Sequence, residues 1–281
     1  MNFSDIINFS DYDRLLPLVT NSLIAGALLA LIGGLVGVFV MNRELSFAVH
    51  GIAELSFAGA AIALLIGFDV VFGSIFGSLI AAGVIAFLGD RAKDRNSIVA
   101  VLMPFGLGLG ILALSLYPGR AANKFGLLTG QIVAVDDPKL FAMVGIAALV
   151  VVSMLVIWRP LSFASLDPEV AMARGVPVKA LGIGFVMLLG LAVAAAVQVV
   201  GALLVLALLV TPAAAALRLS SSQLWVPILS VVFAAVSMIG GILLALGSSL
   251  PISPYVTTIS FLIYLIARLV EAVGKKLAVT K

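Results

Sequence analysis

Two side chains carry most of the chemistry available to this chain. His50, the sole histidine, and Glu54 lie four residues apart inside a long apolar run, whereas Glu44 precedes that run and Asp69 follows it. A charged side chain at bilayer depth costs about 3 kcal/mol or more, so ionisable residues there face a cavity or a partner. A spacing of i and i+4 puts both on one helical face, one turn apart. There an imidazole nitrogen and a carboxylate oxygen can share one cation, and the mix of N and O donors suits Zn, Mn or Fe(II). The chain has no cysteine, which excludes a thiolate site. Two protein ligands leave coordination positions open, as an ion that must be released requires. The alternative is a His–Glu pair that hydrogen-bond each other inside a helical bundle.

The elements that hold this pair follow from composition. Of 281 residues, 63% are hydrophobic and 10% charged, against about 25% charged in an ordinary soluble domain. Lipid can solvate so much apolar surface; a soluble fold of this size could not hide it. The apolar runs are continuous rather than alternating, which argues against a β-barrel. The fold expected is an all-α polytopic transmembrane bundle of about 8–9 spans, one transmembrane domain over residues 1–281. A helix crosses the hydrocarbon in about 20 residues. That ruler places spans at 15–41, 45–67, 70–88, 98–117, 140–158, 181–197, 200–217, 225–246 and 255–273. As one helix, 181–217 would run to about 55 Å, so a break is expected at Gln198–Gly201. Gly33/Gly37, Gly73/Gly77 and Gly106/Gly110 are small-xxx-small pairs that let backbones approach closely.

Residues 1–14 carry Asp5, Asp11 and Asp13 against Arg14, the reverse of a secretory n-region, so no removable signal is expected. All but four of the 16 basic residues fall on one side of the spans; the four are Arg14, Arg120, Lys124 and Lys139. By the positive-inside rule the N-terminus lies outside and the C-terminus in the cytoplasm. The basic residues punctuate apolar segments instead of forming a face with stacking aromatics, so nucleic acid is not an expected partner. No Walker A pattern occurs, since Gly274-Lys275-Lys276 lacks both its spacing and its Ser/Thr. The chain is thus not expected to be an enzyme, and any ATP would be hydrolysed elsewhere. Zinc hydrolysis sites usually need three protein ligands, and a lone histidine with no H-E-x-x-H argues against an intramembrane metalloenzyme.

The segment of about 160–180 has a helix grammar of its own. Asp167 can cap a helix that starts at Pro168, with Glu169 where the helix dipole favours an anion. Ala171, Met172 and Ala173 continue it, Arg174 suits its last turn, and Gly175 with Pro177 stop it. It reads either as a docking element for a partner or as an interfacial connector.

The run Asp167-Pro168-Glu169-Val170-Ala171-Met172-Ala173-Arg174-Gly175-Val176-Pro177 resembles the cytoplasmic loop of zinc/manganese/iron-type ABC importer permeases. Gln198-Val199-Val200-Gly201-Ala202-Leu203-Leu204, Thr211-Pro212-Ala213-Ala214, Phe39-Val40-Met41-Asn42-Arg43 and Gly59 are similar to further motifs of that family, in the same order, so the resemblance covers roughly residues 20–270. It implies a permease in a bacterial plasma membrane, working as a homodimer with two cytoplasmic ATPase subunits and an extracytoplasmic metal-binding protein. Divalent Mn, Zn or Fe would be cargo, with no permanently bound cofactor. It also implies that Asp167, Pro168, Glu169, Ala171, Arg174 and Gly175 couple to the ATPase. In the family's G-D-A-x-x-H-A-x-x-x-G pattern, His50 stands where the Asp is expected and Glu54 where the His is expected. The ligand types are kept and their order exchanged, which bears on the identity of the ion. A proton- or sodium-coupled secondary carrier using His50 and Glu54 as a relay is the competing reading, although no internal repeat of the kind common in such carriers is evident.

Overall fold

The computed structural model describes residues 12–89, 92–119, 135–246, 248 and 251–279. Asp5, Asp11, Arg91, Arg120, Lys124 and Lys281 lie outside the described residues, as does the side chain of Lys93. Short helical turns over Tyr12–Leu15 and Leu16–Val19 lead into α1 (Thr20–Asn42). There follow α2 (Ser46–Ile66), α3 (Val70–Leu88), α4 (Ala92–Leu116), α5 (Asp137–Leu166) and α6 (Pro168–Ala173). The chain continues through α7 (Val178–Val200), α8 (Val205–Leu209), α9 (Thr211–Leu219), α10 (Trp225–Ala245) and α11 (Ser253–Val279). Among the described residues, eight helices are long and apolar enough to cross a membrane.

Local chemistry ends and starts these helices. Gly67, with φ +74°, closes α2, and Asp69 opens α3 by accepting from the amides of Val71 (2.7 Å) and Phe72 (3.2 Å). Asp136 caps α5 through the amide of Lys139 at 3.1 Å. Near the last turn of α1, Phe39 meets Trp158 of α5 edge-on, with ring centroids 4.8 Å apart, and Phe185 of α7 at 5.8 Å. Aromatic contacts of this geometry add to area burial.

Arg43, Arg95 and Arg218 gather at one end of the bundle. There Arg43 donates to Ser165 Oγ (3.2 Å), Arg95 donates to the Arg43 carbonyl (3.2 Å), and Arg218 pairs with Glu271 at 3.5 Å. At the opposite end Asn21 donates to Asp137 (2.8 Å), and the Tyr12 hydroxyl donates to the Leu243 carbonyl.

Two expectations need correction. First, residues 200–217 do not form one continuous spanning helix. Gly201 adopts φ +83°, a 3-10 turn covers Ala202–Leu204, and the chain breaks again before Thr211-Pro212. Proline has no amide hydrogen and is favoured in the first turn of a helix, where Pro212 stands as α9 restarts at Thr211. The broken segment nevertheless runs the length of the bundle beside α11. Ser253 donates to the Val200 carbonyl, Ser260 to the Ala207 carbonyl (2.9 Å), and Arg218 meets Glu271 at the basic end. Those hydroxyls satisfy carbonyls at the breaks, as a non-helical backbone at membrane depth requires. The described residues therefore make nine passes between the two ends. Second, the fifth span does not stop at 158. Helix α5 continues past Arg159 and Pro160 to Leu166, its last turns anchored by buried Leu161 and Ala164.

Candidate functional site

Glu54 sits eight residues into α2, about 12 Å from its first turn. Two neighbours grip the backbone around it. On one side, Cβ atoms added at Gly59 and Gly77 would strike the backbone of α3 and α2 respectively, at the Gly73 and Leu55 carbonyls. On the other, Gly106 of α4 lies so close that an added Cβ would be 3.0 Å from both the carbonyl carbon of Glu54 and the amide of Leu55. Side-chain hydroxyls strengthen the grip. Ser56 and Ser74 share a 2.8 Å hydrogen bond, and Ser74 reaches the Ala194 carbonyl of α7 at 3.4 Å. The small-xxx-small pairs read from the sequence are thus helix contacts, and they hold the rotation of α2.

That rotation aims His50 and Glu54 together. Nε2 of His50 lies 3.8 Å from Oε1 of Glu54, with the Glu54 side chain 4% exposed and that of His50 26%. This is longer than a hydrogen bond. His50 Nδ1 and Glu54 Oε2 are buried and have no hydrogen-bond partner among the described residues. The expected mutual hydrogen bond of a purely structural pair is therefore not made. A cation with ligand distances of about 2.0–2.2 Å would hold its N and O ligands about 3.0–3.6 Å apart, so a small rotamer adjustment suffices for both to reach one ion. Among the described residues no group of three or more His, Asp or Glu side chains converges on a point.

The second predicted element forms as its grammar dictates. Asp167 Oδ1 accepts from the amide of Val170 at 3.0 Å, and Pro168 occupies the first helical position of α6. Glu169 lies in the first turn, and Ala171 is fully buried against the bundle. Arg174 closes the helix; Gly175 takes φ +79°, and Val176 donates back to the Ala171 carbonyl at 3.0 Å. Val170 and Met172 are left exposed at 45% and 57%. The helix lies at the basic end, and its residues are not brought to His50 and Glu54. Sequence reasoning missed Gly106 as the residue seated on the Glu54 backbone. The only available signal was the glycine spacing, which does not say what a helix packs against.

Nine passes, a His–Glu pair within one of them and a capped helix at the basic end fit a helical membrane permease. The chain belongs to the ABC 3 transport family, whose model matches residues 16–271. It is 29% identical over 234 residues to the manganese transport system membrane protein MntC of Halalkalibacterium halodurans, covering 82% of this chain and 80% of that one. It is 26% identical to the manganese import system permease protein ScaB of Streptococcus parasanguinis, covering 93% and 94%. Its fold superposes on PsaBC from Streptococcus pneumoniae in complex with Fab with a TM-score of 0.80, at 26% identity and 92% coverage of both chains. Membership of this family favours the ABC permease over the secondary carrier.

Proposed function

We propose that this chain is the membrane-spanning permease subunit of an ATP-binding-cassette importer for divalent transition metal ions, with manganese as the first candidate cargo. The observation that carries the reading is an unpartnered His50–Glu54 pair, buried in a chain that matches the ABC 3 transport family over residues 16–271. The relatives named for manganese transport support the choice of ion. An imidazole and a carboxylate bind Mn, Fe(II) or Zn without the grip a thiolate would add, which suits transient occupancy.

In this reading the working unit is a homodimer in a bacterial plasma membrane, with the N-terminus outside and the basic end in the cytoplasm. ATP is hydrolysed by two separate subunits, consistent with a chain that lacks a Walker A pattern. Those subunits press on α6, whose exposed Val170 and Met172 offer apolar contacts on two different sides and whose Asp167 cap and Gly175 turn give it a rigid frame. An extracytoplasmic binding protein delivers the ion at the opposite end. The chain itself binds no permanent cofactor; the metal is cargo.

The test is reconstitution of the chain with its copurifying ATPase in proteoliposomes. Delivery of Mn, Zn or Fe by the binding protein stimulates ATP hydrolysis, and the ion accumulates in the lumen on the ATPase side. Transport driven by a proton or sodium gradient without ATP would overturn the assignment.

A further inference from the structure

Helix α7 ends in an apolar stretch that is interrupted once. Gln198 is the one polar side chain between Lys179 and Thr211, and from 192 to 202 every residue except Gln198 is buried. Its Nε2 is enclosed in the wall with no hydrogen-bond partner among the described residues, whereas Oε1 is not enclosed in that way. An amide left unsatisfied is costly, and leucine, of similar size, would fill the place at lower cost. Backbone oxygens collect around it. Gly201, at φ +83°, breaks the helix within one turn. Of the last carbonyls of α7, that of Val197 accepts from the Gly201 amide at 2.9 Å and that of Val200 from Ser253 Oγ at 3.5 Å. Those of Gln198 and Val199 have no amide of the helix above them, and the negative end of the helix dipole falls at the same place.

Hydrogen bonds fix the level of this cluster. Ser56, just beyond Glu54 in α2, is bonded to Ser74 at 2.8 Å, and Ser74 Oγ reaches the Ala194 carbonyl at 3.4 Å. Gln198 lies one turn beyond Ala194. A rise of about 3 Å along α2 and about 6 Å along α7 puts it on the order of 9 Å from Glu54, toward the end away from Arg43. Helix α2 packs against α7, against the Ala202–Leu204 turn and against α8, so the break and the His50–Glu54 pair have one helix in common.

We infer that Gln198 is a ligand for the transported divalent cation, at an oxygen-only station that the ion meets before the His50–Glu54 pair. The carboxamide oxygen takes the place of one water of the hydrated ion, and the carbonyls left over at the end of α7 are the further oxygens at hand. Carbonyl and amide oxygens suit Mn and equally Mg or Ca, whereas an imidazole nitrogen favours transition metals. The two stations therefore divide the work: the outer one begins to dehydrate any hard divalent ion, and the inner one retains the transition metal. A neutral amide also holds a cation less tightly than a carboxylate, so the ion can move on. Broken helices whose terminal carbonyls meet a cation are a general device of transporters. The inference rests on the transport reading above and on its inward direction.

The test uses the full chain with its copurifying ATPase and binding protein in proteoliposomes. Gln198→Leu should raise the apparent KM for delivered Mn about tenfold while basal ATP hydrolysis stays at the wild-type rate. The same variant should melt at or above wild type in detergent, because the unsatisfied amide is gone. Gln198→Glu keeps an oxygen and adds charge, so KM should fall and the maximal rate drop about threefold as the ion leaves more slowly. The chain has no cysteine, so Gln198→Cys gives it a single thiol. An impermeant methanethiosulfonate should modify that thiol from the side of the binding protein, and Cd, a thiophilic divalent probe, should slow the reaction about tenfold. Val199→Cys, at a site 1% exposed, should stay unreactive. Wild-type KM in Gln198→Leu, or a thiol at 198 that Cd leaves fully reactive, refutes the ligand. A lower melting temperature together with loss of the dimer in Gln198→Leu would assign the amide to a contact between two copies instead. The two readings fail separately. If the wild-type complex accumulates no Mn while Cd still protects the thiol of Gln198→Cys, the transport reading falls and the cation site stands. If it accumulates Mn and the thiol is unprotected, the site falls alone.

Discussion

Two glycines on one helix should respond to the same substitution with opposite sign. Gly106 and Gly108 of α4 lie two residues apart, and a Cβ added at Gly108 meets nothing within 4 Å. At Gly106 it would stand 2.6 Å from Leu55 Cδ1, which can swing away. It would also stand 3.0 Å from the Glu54 carbonyl carbon and the Leu55 amide, which are backbone and cannot. Carbon atoms rest at about 3.5–4.0 Å, so Gly106→Ala requires α4 to retreat by about 0.5–1 Å from α2. Overpacking of this kind costs about 1–3 kcal/mol. Gly108→Ala instead gains about 0.8 kcal/mol of helix propensity with no clash. Gly106→Ala gains the same propensity, which leaves a net cost of about 0.2–2.2 kcal/mol, so at about 2 °C per kcal/mol for a chain of this size it should melt lower than wild type in detergent by up to about 4 °C. Gly108→Ala should melt at or slightly above wild type. Because the displaced backbone carries Glu54, Gly106→Ala should also slow metal uptake while Gly108→Ala leaves it intact. Equal melting shifts for the two variants would refute the helix rotation on which the whole site depends.

The remaining predictions bear on the site, the capped helix and the topology. Glu54→Gln and His50→Ala should each abolish metal accumulation at normal expression and membrane insertion; wild-type uptake in both would make the pair structural. Asp167→Ala removes a cap worth about 1 kcal/mol, and Gly175→Val forces a β-branched residue to φ +79°. Both should reduce stimulation of the ATPase by loaded binding protein without reducing insertion, and full stimulation would leave α6 a mere connector. A cysteine at exposed Asn96 should react with an impermeant reagent only from the cytoplasmic side, and one at exposed Lys139 only from outside. The reverse pattern would invert the molecule.

Much of the molecule was legible from short-range rules. Span limits follow from the ruler of bilayer thickness, so α3 occupies the 70–88 expected for it. The Asp167–Gly175 helix follows from capping and from the need for positive φ at Gly175, and both depend on residues within one or two turns. The i, i+4 register of His50 and Glu54 needs nothing beyond the helix period. The continuation of α5 beyond Pro160 was not legible, because Leu161 and Ala164 hold those turns through contacts made outside the segment.

What the sequence determined by itself is therefore a set of apolar helices, their ends, and one face that places an imidazole above a carboxylate. Tertiary structure alone decided that Gly106 rather than Gly108 faces Glu54, since two glycines on one helix are chemically alike until a neighbour packs against one of them. It alone completed the pass that breaks at Gly201 and again before Pro212, because the freed carbonyls of Val200 and Ala207 find donors in Ser253 and Ser260, 53 residues away. It alone brought Arg43, Arg95 and Lys179 to one cavity. The physical reason is the same in each case: local propensity acts over one or two turns of chain, whereas the partner of a buried charge, carbonyl or glycine is set by which helix packing excludes lipid best.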